Sequence, residues 1–139
     1  MSIVPVVSAI LSNHQGQVLL QLRDDDPAIE FPNCWTVLGG HVEEGESPDE
    51  AIRRELMEEI ETCPPLTYWM RYLATRGPGG SVVVNQFMYL GSLSSPIEAI
   101  PLHEGQGLAY FDAHQVKALS LAFGFQVILE YYFAVYWGR

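Results

Sequence analysis

Strand-like segments on both sides of one amphipathic helix, several of them paired as hairpins, and an aromatic-rich helical stretch at the end predict an α/β fold, a mixed β-sheet held between helices. At 139 residues the chain has the length of one domain, residues 1–139. Its 48% hydrophobic and 17% charged residues are a globular balance, and a chain this long buries a core without staples.

Ile3 to Leu11 alternates loosely and Gln17 to Arg23 more clearly, with Asn13-His14-Gln15-Gly16 between them, so the chain opens on a hairpin. Asp24 to Asn33 is acidic and proline-bearing, a loop. Trp35 to Leu38 reads as a short apolar strand ending at Gly39-Gly40. Ser47 opens a helix: proline takes the first helical position, acids fill the first turn, and Glu50 completes a capping box. Ala51, Ile52, Leu56 and Ile60 give that helix an apolar stripe, and Cys63-Pro64-Pro65 stops it. Leu66 to Thr75 and Ser81 to Leu90 are rich in β-branched and aromatic residues and form a second hairpin through Arg76-Gly77-Pro78-Gly79-Gly80. Gly107 to Phe111 is a short strand, Asp112 caps a helical turn, and Leu119 to Tyr136 is the final helix.

The formal net charge of -10 excludes a general binder of duplex or long single-stranded nucleic acid, which needs a basic surface to displace counterions. A small phosphorylated substrate stays open. Cys34 and Cys63 lack metal-ligand spacing and read as reduced thiols. No basic segment precedes the apolar stretch Ile3 to Leu11, which Pro5 and Ser8 interrupt, so no signal peptide is expected. Gln126 and Glu130 break the longest apolar region, Leu119 to Trp137, and argue against a membrane span. The expectation is a cytoplasmic protein.

Nine of the 17 acids lie between Glu43 and Glu61, where only Arg53 and Arg54 oppose them. Within the helix Glu55, Glu58 and Glu59 stand three and four residues apart, on one face. Like charges so placed repel by roughly a few tenths of a kcal/mol per exposed pair. Two readings are open. One is a solvated face with Glu50–Arg54 and Arg54–Glu58 pairs. The other is a site neutralised by hard divalent cations, which prefer oxygen ligands. Gly39-Gly40, between a strand and the acidic loop, favours the second, because glycine lets a backbone carbonyl approach a cation or phosphate.

The run from Gly40 through Glu46 to Arg54-Glu55-Leu56-Met57-Glu58-Glu59 resembles the Nudix box, Gx5Ex7REUxEExGU with U aliphatic. Six constrained positions match, Gly40, Glu46, Arg54, Glu55, Glu58 and Glu59, as does the aliphatic slot at Leu56. The surrounding elements also resemble the family's α/β/α sandwich. The box departs at its end, with Glu61 for glycine and Thr62 for the aliphatic residue, and Leu38 stands where many members carry proline. A left-handed helix end at Glu61 costs about 1 kcal/mol relative to glycine, so a reshaped exit turn is expected.

The resemblance implies a magnesium- or manganese-dependent hydrolase that cuts a phosphoanhydride bond in a nucleoside diphosphate-linked substrate. Glu55 and Glu59 are then the principal metal ligands, Glu58 a further or water-mediated one, and the Gly39 carbonyl a backbone ligand. Arg54, paired with Glu46, would orient the loop against the helix. Glu104, in Glu104-Gly105-Gln106, resembles a loop glutamate of MutT-like members that serves as base or ligand. Glu98 is the alternative, and a solvated carboxylate the plain reading of either.

Arg23 matches an arginine that contacts substrate phosphates in those members; otherwise it is a surface cation among Asp24, Asp25 and Asp26. His41, after the glycines, either touches phosphate or is a solvated loop histidine, the plainer reading. Phe123 and Phe125 either stack on a base or belong to the core. Guanine selectivity is unsupported, since the asparagine that reads the base edge in such members is missing there. The expected substrate is a nucleoside or deoxynucleoside triphosphate, cleaved to monophosphate and pyrophosphate, in a chain without the extra N-terminal domain of sugar-nucleotide members. ADP-ribose is the alternative: Pro78, 16 residues after Thr62, lies near a proline that marks that subgroup, though turn chemistry also accounts for it. A non-catalytic nucleotide-binding module is a further alternative, yet such modules typically lose the box glutamates. Tyr131, Tyr132, Phe133, Tyr136 and Trp137 cover more than one helix face, enough for an interaction surface or homodimer contact.

Overall fold

Residues 2–137 are described by the computed structural model. The elements are β1 (Ser2–Ser12), β2 (Val18–Leu22), β3 (Trp35–Thr36), β4 (Leu38–His41), α1 (Pro48–Ile60), β5 (Leu66–Arg76), β6 (Val82–Ser92), β7 (Gly107–Phe111), α2 (Ala113–Val116) and α3 (Phe125–Tyr136). Within the described residues the strands form one mixed sheet in the order β3-β2-β1-β6-β5, with β4 on β1 and β7 on β2. β1 is central: it pairs in parallel with β6 along its length, from Ser2↔Val82 to Ser12↔Ser92, while Val6 to Ala9 pair antiparallel with β4.

Period-two alternation sends one set of side chains to each helix layer. Val7, Ala9 and Leu11 of β1, Leu19 of β2 and Tyr89 of β6 pack under Ala51, Ile52, Leu56 and Ile60 of α1. Ile10, Val18, Leu20 and Met88 face the other way, against Phe125, Ile128, Leu129, Tyr132 and Phe133 of α3. This is the α/β/α sandwich with a mixed central sheet. Among the described residues no helix is long and apolar enough to cross a membrane.

The capping box forms as the sequence predicts: Ser47 Oγ accepts from the Glu50 N–H at 3.1 Å, and the Glu50 carboxylate accepts from the Ser47 N–H at 2.9 Å. Four expectations need correction. Gly39-Gly40 do not end a strand but lie inside β4, opposite Ser8 and Val7. Arg76 does not belong to the turn; it ends β5 opposite Val82, and Pro78–Gly80 make the turn as a short 3-10 segment. The last helix begins at Phe125 rather than Leu119, because Phe123 and Gly124 take left-handed conformations, φ 56° and 70°, that no right-handed helix continues through. Leu121 instead bridges to Trp35, so the apolar run that mimicked helix covers the sheet edge. The exit of α1 is not reshaped: Glu61 itself adopts the left-handed cap, φ 58° and ψ 22°, donating its N–H to the Met57 carbonyl.

The aromatic face of α3 divides. Tyr132 and Phe133 are buried, while Tyr131, Tyr136 and Trp137 are exposed, with Trp69 of β5 stacked on Tyr131 at 5.7 Å.

Candidate active site

α1 lies across β4 so closely that glycine is required beneath it at residue 40, where a Cβ would meet the Glu55 carboxylate at 2.3 Å. Gly39 is required for a different neighbour: a Cβ there would meet the Val7 carbonyl of β1 at 2.0 Å. The three helix glutamates do not share one environment. Glu58 is exposed and turned to Arg54, Glu55 is half-buried, and Glu59 is only 3% exposed.

Glu59 Oε2 is buried without a hydrogen-bond partner among the described residues. Burial first, then the charges of Glu55 and Glu104, hold its carboxyl well above the usual carboxylate range, with the Gly39 backbone pulling the other way. Burial also pushes Glu55 up, against the opposing pull of Arg54. Two carboxyls crowded this way favour a shared proton or a cation between them.

Arg54 organises the acidic loop. Its Nε and Nη2 bond both oxygens of Glu46 at 2.7 and 2.9 Å, Nη2 reaches the His41 carbonyl at 3.0 Å, and Nη1 reaches Glu55 at 3.0 Å and Glu58 at 3.2 Å. The bidentate Arg54 contact pulls the Glu46 carboxyl down to about 2. The Glu50–Arg54 pair of the solvated-face reading does not form, because Glu50 is committed to the capping box.

Glu104 comes to the same place from the loop before β7. The His103 N–H donates to the Glu59 carbonyl at 3.1 Å, Gln21 Nε2 donates to the Glu104 carbonyl, and the Gln106 N–H donates to the Leu22 carbonyl at 2.8 Å. Gly105, at φ 85°, allows the turn, since a Cβ there would meet the Leu22 carbonyl at 2.5 Å. Glu98 sits apart, exposed on a 3-10 turn at Ile97–Ala99.

Glu59, Glu104, Gly39 and Gly40 border a cavity of about 240 Å³ that Arg23, Phe123 and Phe125 border as well. The Arg23 guanidinium lies 4.9 Å from the centroid of the Phe123 ring, and its Nε donates to the Glu30 carbonyl at 3.0 Å. Phe125 borders the cavity as a core residue at 2% exposure, whereas Phe123 is half-buried on the cavity wall.

Sequence reasoning missed several lining residues, Arg76 and Gln86 among them. Arg76 stands 4.0 Å from the Phe123 centroid, half-buried in an apolar setting that lowers its pKa. Among the described residues neither Arg23 nor Arg76 has a carboxylate within salt-bridge reach. Gln86, 3% exposed, donates to Ser8 Oγ at 3.1 Å. Its signal was legible: a polar residue in register with Val84 and Met88 on a buried strand face.

Among the described residues no three carboxylate, imidazole or thiol groups converge as a ready-made metal cage. The donor set nevertheless suits a hard cation. Glu59 presents an orphaned buried oxygen, crowded by Glu55 and Glu104, beside a glycine-lined strand.

A model of the NUDIX domain matches residues 3–131. The chain belongs to the Nudix family. It is similar to a Nudix hydrolase of Deinococcus radiodurans, 37% identical over 100 residues, 71% of this chain and 56% of that protein. It is also similar to the nucleoside triphosphatase NudI of Escherichia coli K12, 38% identical over 55 residues, 40% of this chain and 38% of that one. The match thus spans about half, or less, of those relatives' own length. Among solved structures, the MutT protein of Methanosarcina mazei Go1 superposes with a TM-score of 0.76 at 18% identity, over 94% of this chain and 93% of that one. At that identity the likeness concerns the Nudix fold alone.

Proposed function

We propose that this Nudix domain hydrolyses a phosphoanhydride bond of a nucleoside or deoxynucleoside triphosphate, releasing the monophosphate and pyrophosphate. The observation that carries the reading is the buried Glu59 carboxylate, its Oε2 without a hydrogen-bond partner and crowded by Glu55 and Glu104, on a cavity bordered also by Arg23 and Arg76, neither in a salt bridge among the described residues. Glu55, Glu59 and the Gly39 backbone would hold magnesium or manganese, with Glu58 contributing through water from its exposed position. Such a cation, when bound, neutralises phosphate charge and lowers the pKa of a coordinated water.

The side chains have separable tasks. Arg54 fixes the loop from His41 to Glu46 against α1, so the carboxylates are held before substrate arrives. Glu104 accepts a proton from attacking water or completes the ligand set. Arg23 and Arg76 bind phosphate oxygens, a task guanidinium geometry suits. Phe123 would meet the base only on ring surface that Arg76 and Arg23, both over the ring, leave open or vacate for phosphate.

The nucleoside triphosphate reading is supported by the likeness to NudI over part of its length and by that pair of arginines. ADP-ribose has weaker support: Pro78 sits between Gly77 and Gly79, both at positive φ, and turn geometry accounts for it. The deciding experiment measures nucleoside monophosphate formation from nucleoside triphosphates, nucleoside diphosphates and ADP-ribose, with pyrophosphate as the co-product expected from the triphosphates, with and without magnesium. Cleavage of triphosphates to monophosphates only with the cation is expected. Undiminished hydrolysis after exhaustive chelation would reject the metal assignment, and ADP-ribose as the best substrate would reject the substrate class.

A further inference from the structure

Glu61 occupies a conformation that side chains disfavour. At φ 58° and ψ 22° it takes the left-handed cap of α1, where a non-glycine residue is disfavoured about fivefold relative to glycine. Strain of this kind persists where surrounding contacts over-determine it. Here its carboxylate meets the imidazole Nε2 of His103. A carboxylate only accepts, so Nε2 carries the hydrogen in this contact. The His103 backbone makes a second tie at the same helix end, its N–H donating to the Glu59 carbonyl at 3.1 Å. The next residue is Glu104. Beyond it the loop is tied to β2, through Gln21 to the Glu104 carbonyl and through the Gln106 N–H to Leu22. Gln106 Nε2 also bonds the Arg23 carbonyl at 2.7 Å and Asn33 Oδ1 at 3.0 Å.

We propose that Glu61 and His103 are positioning residues, a latch that fastens the 103–106 loop to the end of α1 and holds Glu104 against Glu59. The latch rests on the reading of Glu104 as base or ligand. It touches no substrate and acts through Glu104 alone. Residue 61 is where the family's box has glycine, and glycine would relieve the backbone strain while deleting the contact. This chain keeps the disfavoured residue whose side chain reaches the loop. Both partners are about half exposed, at 52% and 56%, so solvent screens the pair and its effect is a population shift of up to about fivefold.

The test compares Glu61→Gly, Glu61→Gln, His103→Ala and the Glu61→Gly/His103→Ala double variant with the parent. Turnover is read on the fastest nucleoside triphosphate with magnesium, and amide exchange of residues 103–106 on metal-free protein. Glu61→Gly should keep or raise Tm, yet lower kcat about three- to fivefold with KM within about twofold. His103→Ala should give the same loss, and the double variant no more than either. Glu61→Gln keeps an acceptor and should restore kcat to within about twofold of the parent. Exchange at His103 should accelerate in Glu61→Gly. Parent-like kcat and exchange in Glu61→Gly overturn the latch, as does a fall in Tm with KM and kcat moving together. In a Glu104→Gln background Glu61→Gly should add nothing, and a further loss there also overturns it. A silent Glu104→Gln removes the catalytic reading of Glu104, and exchange in Glu61→Gly then decides the latch: faster supports it, unchanged rejects it.

Discussion

Glu59 holds two opposed requirements in one side chain. Buried and crowded by Glu55 and Glu104, its carboxyl is held above the ordinary range, so the folded protein keeps a proton that the unfolded chain has released. Between the unfolded carboxylate pKa and that raised value, stability of the metal-free protein therefore falls as pH rises. Glu59→Gln removes the titration. The metal-free variant should melt higher than the parent, by more at pH 8 than at pH 5, while turnover drops at least about a hundredfold. Calorimetry at the two pH values checks the first half, and a gap that does not widen with pH rejects it. Glu104 makes the companion case. Glu104→Gln should lower kcat more than it raises KM, on the general-base scale of about a hundredfold or more, and the remote Glu98→Gln should be silent. A loss under about threefold would leave Glu104 an ordinary solvated carboxylate. The glutamates and Arg54 were legible because their spacing along one helix is local. Arg76 was not, since nothing in Arg76-Gly77-Pro78 says that β5 runs to the cavity wall.

Local rules also settled most of the elements. Ser47 with Pro48 and Glu50 marks the start of α1, and both hairpins and β7 follow from alternation and turn residues. Ser47→Ala should destabilise the fold by about 1 kcal/mol, seen in denaturant melts, with the specific activity of folded enzyme unaltered. What local rules could not supply is the pairing of distant segments. The parallel register of β1 on β6 joins residues about 80 apart, and neither strand states its partner. Glycine misled twice in opposite senses: Gly39-Gly40 read as a strand end although they lie inside β4, where Gly40 lets α1 lie close, and Gly124 read as helix although it precedes one. Gly40→Ala tests the first point, because its methyl would displace the Glu55 carboxylate. Turnover should fall roughly ten- to hundredfold, as small misplacements of catalytic groups cost that much, in a protein whose far-ultraviolet dichroism matches the parent. A fully active Gly40→Ala would mean that the closeness of α1 and β4 does not matter to the chemistry.

Over the whole molecule the net charge of -10 would work against the anionic substrate proposed above, and two of the seven cations stand where they would offset that. Arg54 is bound up in the acidic loop, while Arg23 and Arg76 face the cavity. The helix glutamates remain a concentration of charge that the fold tolerates at some cost in stability. A divalent cation held there should therefore stabilise the native state. Binding to the native form alone adds about 2.7 kcal/mol at a hundredfold excess over Kd, and for a chain of this size that is about 8 °C in Tm. General screening by salt would also relieve repulsion, so magnesium chloride must be compared with sodium chloride at equal ionic strength. The expected result is a magnesium-specific rise in Tm that keeps growing with the logarithm of concentration above Kd. Glu59→Gln should begin from a higher metal-free Tm and respond to magnesium weakly. The melting temperatures of parent and variant then converge or cross as magnesium is raised. Equal responses of the two proteins, or equal effects of the two salts, would mean that the cation acts on the acidic surface at large and that Glu59 does not hold it.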